Sequence, residues 1–310
     1  MAAERTHLTI GTRGSKLALW QSEYIRARIE GLTGLEVRIQ IIKTTGDKIL
    51  DVPLAKVGGK GLFTKEIEVE LEAGTVDLAV HSMKDVPPEL AEGLAIAAVS
   101  KRETPWDALC ARAPVTVDTL PHGAKVGTSS MRRQCQLLAR RPDLEIEMLR
   151  GNVPTRIKKL DDGMYDAVIL AAAGLTRLGM ADRITQELPL ELSIPAVAQG
   201  VMGIETRTGD VMVRQLAVGA IHDERAHAAV TAERAFLAKM GGSCTTPLAA
   251  HTIDRADGGI RLVGMVGLPD GTKILRAEYG GPIEQAQLLG EKLADDLIAQ
   301  GANEILAATR

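Results

Sequence analysis

The sequence predicts an α/β protein with two similar lobes and a small third domain, and an internal repeat is the main observation behind this prediction. The first copy begins with a strand over residues 8–12, followed by a helix with one apolar face. The second copy begins with a strand over 125–128 and a helix from Met131. Each strand ends in Gly-Thr, and each helix follows a serine that can cap free N–H groups. Two such copies predict two lobes with a cleft between them.

The repeat continues downstream with a strand, a helix and a buried strand in each copy. The predicted pairs are strands 35–42 and 144–149, helices 64–72 and 154–160, and strands 76–80 and 165–170. Strand–helix–strand order predicts right-handed crossovers and largely parallel sheets.

The remainder of the chain differs in kind. A helix over about 222–240 is followed by strand-like segments at 260–266 and 273–277, with Asp-Gly turns between them. An amphipathic helix with leucines at its apolar positions closes the sequence. A helix, three short strands and a helix predict a small α+β third domain.

Composition excludes several classes of protein. Hydrophobic residues make up 45% and charged residues 25% of 310, which is typical of a globular chain. The net charge of −3 and an aromatic content of 2% argue against nucleic-acid binding through bulk basic charge or base stacking. No run of 18 apolar residues occurs, and the first residues lack the apolar core of a signal peptide, so we expect no membrane association. Three widely spaced cysteines favour a reducing cytoplasm.

Positive side chains recur at the loop ends that would face the cleft. Arginine binds carboxylates with two parallel hydrogen bonds, and helix N-termini offer free N–H groups to anions. Two of these arginines open a helix, where the helix dipole disfavours cations, so an anion is expected beside them. The set predicts a polyanionic ligand with many separated charges. Its members are Arg13, Lys84, Arg132, Arg133, Arg150, Arg156 and Arg177.

The loop over residues 46–63 is the longest irregular stretch, and it holds Lys56 and Lys60 among several glycines. A phosphate-binding Walker loop is excluded because its first glycine and its Ser/Thr are missing. Two interpretations stay open, a lid that brings lysines over an anionic site and a plain flexible loop.

Asp85 and Cys244 are candidates for chemistry. Asp85 directly follows Lys84 after a buried strand, where a carboxylate can stabilise a cationic intermediate or serve as a structural cap. Cys244 lies in a loop where its thiol can be accessible, but no basic residue adjoins it, so a structural role is also open. His222 and His227 are five residues apart and would leave one helical face, so no metal site is predicted.

Seven motifs resemble those of the porphobilinogen deaminase (hydroxymethylbilane synthase) family along nearly the whole chain. They lie at 12–21, 57–63, 79–87, 126–134, 149–152, 173–177 and 195–200. The resemblance implies two periplasmic-binding-protein-like lobes and a small C-terminal domain that carries a cofactor cysteine. The implied boundaries are 1–100 with 200–219 for the first lobe, 101–199 for the second and 220–310 for the third domain.

The resemblance also implies a transferase of tetrapyrrole (haem) biosynthesis that joins four porphobilinogen molecules head to tail, releases ammonia and yields hydroxymethylbilane. It implies a dipyrromethane cofactor made from substrate and bound to Cys244 by a thioether, with no metal, and Asp85 as the catalytic carboxylate. Each pyrrole ring carries two carboxylates, which accounts for the cations above. The further implied contacts to the cofactor are Ser15, Thr128, Ser129, Ser130 and Gln199, with Lys56, Lys60 and Phe63 covering the site.

The implied partners are the substrate porphobilinogen and, for the product, uroporphyrinogen-III synthase, with a monomeric enzyme in the cytoplasm and neither nucleic acid nor membrane. One departure from the family pattern is Ala198, which stands where glycine is usual. The alternative is a non-enzymatic, two-lobed cytoplasmic anion-binding protein, which would need the cleft and the arginines but neither Asp85 nor Cys244.

Overall fold

The computed structural model describes residues 5–48, 61–242 and 246–309, and these form two compact units. The first contains the described residues of Met1–Leu50, Gly59–Arg102 and Val201–His227. The second contains those of Glu103–Gly200 and Ala228–Arg310. No helix in the described ranges is long and apolar enough to cross a membrane.

A five-stranded sheet forms the centre of the first unit. Its strands are β1 (His7–Thr12), β2 (Glu36–Ile41), β3 (Leu78–Ser82), β4 (Leu94–Val99) and β10 (Met202–Arg207), in the order β2-β1-β3-β10-β4. The pairs β1–β2 and β1–β3 are parallel, whereas β10 runs antiparallel to both β3 and β4. The helices of this unit are α1 (Lys16–Thr33), α2 (Thr45–Lys48), α3 (Lys65–Glu72), α7 (Val211–Ile221) and the first turn of α8 (Glu224–Lys239).

The second unit contains a sheet that repeats this plan. Its strands are β5 (Asp107–Ala111), β6 (Lys125–Gly127), β7 (Glu145–Glu147), β8 (Ala167–Ala171) and β9 (Gln186–Glu187), in the order β7-β6-β8-β5-β9. The pairs β6–β7 and β6–β8 are parallel, and β5 runs antiparallel to β8. The helices beside it are α4 (Met131–Arg140), α5 (Val153–Asp161) and α6 (Ala172–Arg177). The internal repeat predicted from the sequence is therefore present in the fold.

The prediction of largely parallel sheets is wrong for two strands. In each sheet the three strands of the repeat are parallel, as strand–helix–strand order requires. The strands β10 and β5 are antiparallel to the strands beside them. Neither follows a neighbouring strand through the crossover helix that parallel pairing requires. The chain reaches β10 only after the whole of the second sheet.

A three-stranded antiparallel sheet in the second unit forms the predicted α+β domain. Its strands are β11 (Leu248–Asp254), β12 (Ile260–Gly267) and β13 (Ile274–Gly281), and the helices after it are α9 (Ala286–Ala299) and α10 (Ala302–Ala308). A Cβ atom at Gly264 would lie 2.7 Å from Leu293, so glycine lets α9 pack directly on the sheet. Leu293 is fully buried at this contact. The fold class predicted from the sequence, two α/β lobes with a small α+β domain, is confirmed.

Candidate active site

A short turn follows β3 and carries Lys84 and Asp85. The Met83 N–H donates to the Val201 carbonyl at 3.0 Å, and the Val86 N–H donates to the Met83 carbonyl at 3.2 Å. Met83 is buried, whereas Lys84 and Asp85 are half-buried. Because main-chain hydrogen bonds and a buried side chain hold this turn, the two charged residues leave the strand in a defined position.

A buried pair, His81 on β3 and Glu205 on β10, lies on the same sheet with Glu68 of α3 near it, and this pair was not recognised in the sequence. His81 Nε2 lies 2.9 Å from Glu205 Oε2, and both side chains are at most 4% exposed. Burial raises the pKa of Glu68, and the neighbouring Glu205 carboxylate raises it further. His81 is therefore a hydrogen-bonded core residue.

Arg13 and Phe63, two of the predicted site residues, are in contact within the first unit. The Arg13 guanidinium lies 4.1 Å from the centre of the Phe63 ring, in cation–π geometry. Its Nε and Nη2 atoms also donate to Asp47 at 3.2 and 2.5 Å. Burial alone would raise the pKa of Asp47, but the bonds from Arg13 outweigh it and lower the pKa. Asp47 has no distinguishing motif in the sequence and was missed.

The predicted hydroxyl donors already have local hydrogen bonds. Ser15 accepts an N–H of the first turn of α1 at 3.2 Å, and Ser130 accepts one of α4 at 3.4 Å. Ser129 donates to the Leu149 carbonyl at 2.6 Å, and the Thr128 hydroxyl accepts the Ser130 N–H at 3.2 Å. These bonds order the segment after β6 and fix where its hydroxyl groups lie.

Asp107 organises the central cluster of the second unit. It is fully buried and accepts from Arg132 at 2.6 and 3.1 Å and from Arg133 at 2.9 Å. Ser193 and Gln199 donate to the same carboxylate at 2.9 and 3.1 Å. Burial alone would raise the pKa of Asp107, but the two guanidinium groups hold it far below its usual range. The cluster contains two cations and one anion, so it keeps a net positive charge.

The structure revises the argument that placed a ligand anion beside Arg132 and Arg133. The helix dipole does require a negative partner at this helix start, and Asp107, 25 residues earlier in the chain, provides it. Both arginines are at most 6% exposed. Their assignment to the cofactor stays a prediction, which now rests on the net charge of the cluster and on the family resemblance.

Three further predicted cations follow the parallel strands of the second sheet. Arg150 comes three residues after β7 and is 8% exposed, and burial lowers its pKa. Arg156 Nε donates to the Gly151 carbonyl at 2.8 Å, and Arg177, at the end of α6, donates to the Gly200 carbonyl at 2.7 Å. Carboxyl ends of parallel strands lie at one edge of a sheet, the usual place for a ligand in this architecture.

Ala198 lies in the segment between β9 of the second sheet and β10 of the first. Its φ of 57° is in the left-handed region, which glycine occupies without strain. Its N–H donates to the buried Glu233 carboxylate of α8 at 2.6 Å, and the same carboxylate accepts the Thr252 N–H of β11 at 2.8 Å. One side chain thus holds two backbone segments that are distant in sequence.

Three predicted site residues, Cys244, Lys56 and Lys60, lie outside the described residues. The other two cysteines, Cys110 and Cys135, are free and buried, and desolvation raises the pKa of each thiol to about 12. Neither thiol is a nucleophile at neutral pH, because the thiolate is the reactive form. Cys244 is thus the remaining candidate for covalent attachment.

The geometry at His222 and His227 differs from the one assumed in the sequence argument. His222 caps the end of α7, and α8 begins at Glu224, so the two histidines do not share a helix. Their ring centres lie 5.2 Å apart. The spacing rule for one helix therefore does not apply to this pair.

These features define a two-lobed α/β protein with cations at the strand ends, a class suited to binding anions. Comparison with known families identifies the member of this class. The model "Porphobilinogen deaminase, dipyromethane cofactor binding domain" matches residues 8–215, and "Porphobilinogen deaminase, C-terminal domain" matches residues 227–299.

Curated relatives agree with this match. The porphobilinogen deaminase of Pelobacter propionicus is 51% identical over 300 residues, which cover 96% of each chain. That of Geobacter sulfurreducens is 51% identical over 301 residues, covering 97% of this chain and 94% of the relative. Among solved structures, the methionine-binding protein MetQ is 14% identical over 69% of this chain and 90% of its own, with a TM-score of 0.45. The chain belongs to the porphobilinogen deaminase family, and the predicted family, enzyme class and dipyrromethane cofactor are confirmed.

Proposed function

We propose that this chain condenses four porphobilinogen molecules head to tail on a dipyrromethane primer held on Cys244, releasing one ammonia per molecule. One water then hydrolyses the four-ring product off the primer as hydroxymethylbilane. One observation carries the proposal. The cofactor-binding family model covers residues 8–215, a stretch that contains Asp85 and all seven predicted cations. A non-enzymatic anion-binding protein would not require this match and is not favoured.

The charge of the described residues supports a polycarboxylate ligand. Each pyrrole unit brings two carboxylates, so a six-ring chain would carry roughly a dozen negative charges needing cationic partners. Arg150 is 8% exposed and burial lowers its pKa, so it brings a largely desolvated positive charge to the segment after β7. Arg156 and Arg177, which donate to the Gly151 and Gly200 carbonyls, would bring two further positive charges to the same ligand. The Asp107 cluster would add its net positive charge.

Asp85 would be the catalytic residue. Positive charge develops on the substrate pyrrole as its aminomethyl C–N bond breaks and ammonia leaves. A carboxylate held at the end of β3 would stabilise that charge and accept a hydrogen bond from the pyrrole N–H. It could then take the proton that the ring carbon loses after the new C–C bond forms. When bound, the dipyrromethane supplies the pyrrole carbon to which the first substrate unit is joined.

Arg13 and Phe63 would act together beside this site. The guanidinium is stacked on the ring and paired with Asp47, so its orientation is set before substrate arrives. Preorganised cations lose little rotamer entropy on binding a carboxylate. With Lys56 and Lys60 they would cover the bound chain.

The proposal extends to a monomeric, cytoplasmic enzyme that passes its product to uroporphyrinogen-III synthase. The free thiols Cys110 and Cys135 are consistent with a reducing compartment. Sedimentation equilibrium of the purified protein would test the monomer, since a dimer would double the fitted mass.

Intact-mass spectrometry tests the proposal directly. The purified protein should exceed its sequence mass by two linked pyrroles, and Cys244→Ala should not. Cys110→Ala is the matched control, because it removes a buried thiol and should retain the excess mass. If wild type carries no excess, and incubation with porphobilinogen neither modifies Cys244 nor consumes substrate, the proposed reaction is wrong.

A further inference from the structure

Two histidines and a glutamate meet where α7 ends and α8 begins. The residues are His222, Glu224 and His227, and one ligand atom from each lies within 4.8 Å of the other two. His222 Nε2 is 3.6 Å from Glu224 Oε1, and the two imidazole rings are 5.2 Å apart with a tilt of 52°. All three belong to the first unit, in a segment with no part in the proposed chemistry.

The break between the two helices brings these side chains together. The His222 N–H donates to Val218 and closes α7, while Asp223 accepts the Ala226 N–H at 2.8 Å and starts α8. Because both ends are capped, the turn has a fixed conformation. His222 therefore faces the first turn of α8, on which His227 lies.

Structural hydrogen bonding does not account for the pair of histidines. His81 is fixed by a 2.9 Å bond to Glu205, as a core histidine usually is. The Nδ1 atom of His222, in contrast, is buried and has no hydrogen-bond partner among the described residues. His227 is exposed, and its ring centre lies 5.2 Å from that of His222, so its nitrogen atoms are accessible on the same side of the turn.

We propose that His222, Glu224 and His227 bind one divalent transition-metal ion of the zinc or nickel class. Two imidazoles and one carboxylate are a common protein ligand set for zinc, with water in the fourth position. A tetrahedral ion with bonds of about 2.1 Å places its ligand atoms about 3.4 Å apart. The His222–Glu224 distance of 3.6 Å is already close to this, and the Glu224 side chain, 87% exposed, can move to complete the set.

The electrostatics allow this ion. Glu224 and Asp223 bring two carboxylates to the turn, and the carbonyl end of the α7 dipole favours a cation. Two features weaken the binding of a cation here. The positive end of the α8 dipole lies at the same turn and repels it. His222 Nδ1 also has no hydrogen-bond acceptor among the described residues, and such an acceptor usually orients a metal-bound histidine. We therefore expect micromolar rather than nanomolar affinity. The ion would link the end of α7 to the first turn of α8, and it takes no part in turnover.

Isothermal titration of the untagged holoenzyme with ZnCl2 tests the proposal. Wild type should bind one ion at this site, and His227→Asn should weaken the binding at least about tenfold. His122→Asn is the matched control, because it removes an exposed histidine elsewhere and should leave the isotherm unchanged. Co2+ should give visible d–d absorption in wild type that His227→Asn abolishes.

Two results would overturn the site. One is the absence of any Zn2+ binding by wild type up to about 1 mM. The other is an isotherm that His222→Asn and His227→Asn both leave unchanged, which would place the ion on other groups. Far-UV circular dichroism of each variant excludes loss of the fold as the cause of weaker binding.

Discussion

Replacing Asp107 by asparagine should destabilise the second unit strongly. The side chain keeps its shape but loses the charge that two buried guanidinium groups share. Removing one partner of a buried ion pair typically costs about 3–5 kcal/mol, because the remaining charge stays desolvated. The matched control is Asp118→Asn, whose partner Arg140 is 60% exposed. An exposed pair contributes at most about 1 kcal/mol.

Because each unit contains one tryptophan, fluorescence can follow the unfolding of the second unit separately. Trp20 lies in the first unit, and Trp106 adjoins Asp107 in the second. In a Trp20→Phe background, urea unfolding followed by fluorescence reports on the surroundings of Trp106. The Asp107→Asn midpoint should fall well below that of Asp118→Asn. A difference under about 1 kcal/mol between the two variants would refute the claim that the Asp107 charge stabilises the two buried arginines.

The ion pairs of Asp107 with Arg132 and Arg133 also make the stability of the fold depend on pH. The pKa of Asp107 is lower in the folded chain than in the unfolded one, so the unfolded state binds the extra proton. The stabilisation is therefore fully present above the ordinary carboxyl pKa of 3.8 and is lost as the pH falls towards the lowered value. The gap between wild type and Asp107→Asn should be constant at neutral pH and shrink on acidification. A gap that instead widens on acidification would contradict this sign.

Three further predictions concern the site and the segment after it. Asp85→Asn should nearly abolish porphobilinogen consumption while leaving the excess mass on the protein, and near-normal turnover would remove Asp85 from the mechanism. Arg150→Ala should impair cofactor assembly or chain elongation. Its control is Lys158→Ala, which removes a lysine paired with Asp162 on the surface and should leave activity unchanged. Equal activity of the two variants would show that Arg150 has only a structural role. Ala198→Val should lower the free energy of unfolding by more than about 2 kcal/mol, because a β-branched residue is strained at a φ of 57° in a fully buried position. Ala198→Gly should change the free energy of unfolding little, because glycine adopts this φ without strain. A lower urea midpoint for Ala198→Gly than for Ala198→Val would refute the inferred backbone strain at Ala198.

The fold was predictable where local signals determine it. In each repeat the first strand has a two-residue apolar period, and the helix after it has a 3.6-residue period and a serine cap. These signals come from residues that are close together in the sequence. The antiparallel partners β10 and β5 were not predicted, because their pairing depends on segments far away in the chain. The same limit applies to Asp107, since nothing around it in the sequence indicates that arginines 25 and 26 residues later will surround it.

The positions of the predicted site residues could be inferred from the sequence to the same extent. The cations after β7 and β8 were predictable because strand ends converge at one edge in any parallel sheet. The contact of Arg13 with Phe63, and its pairing with Asp47, come from tertiary packing and have no sequence signature. The proximity of His222 to His227 was not predicted, because one continuous helix was expected over about 222–240, whereas a new helix begins at Glu224.

The position of Glu233 limits how this chain could be divided into modules. Its carboxylate accepts one N–H from the segment that leaves the second sheet and one from the first strand of the third. A truncation before α8 would leave the buried Ala198 N–H without its acceptor at the point where the backbone is already strained. Separating the second lobe from the small domain that follows it would therefore remove a buried hydrogen-bond acceptor from a strained segment.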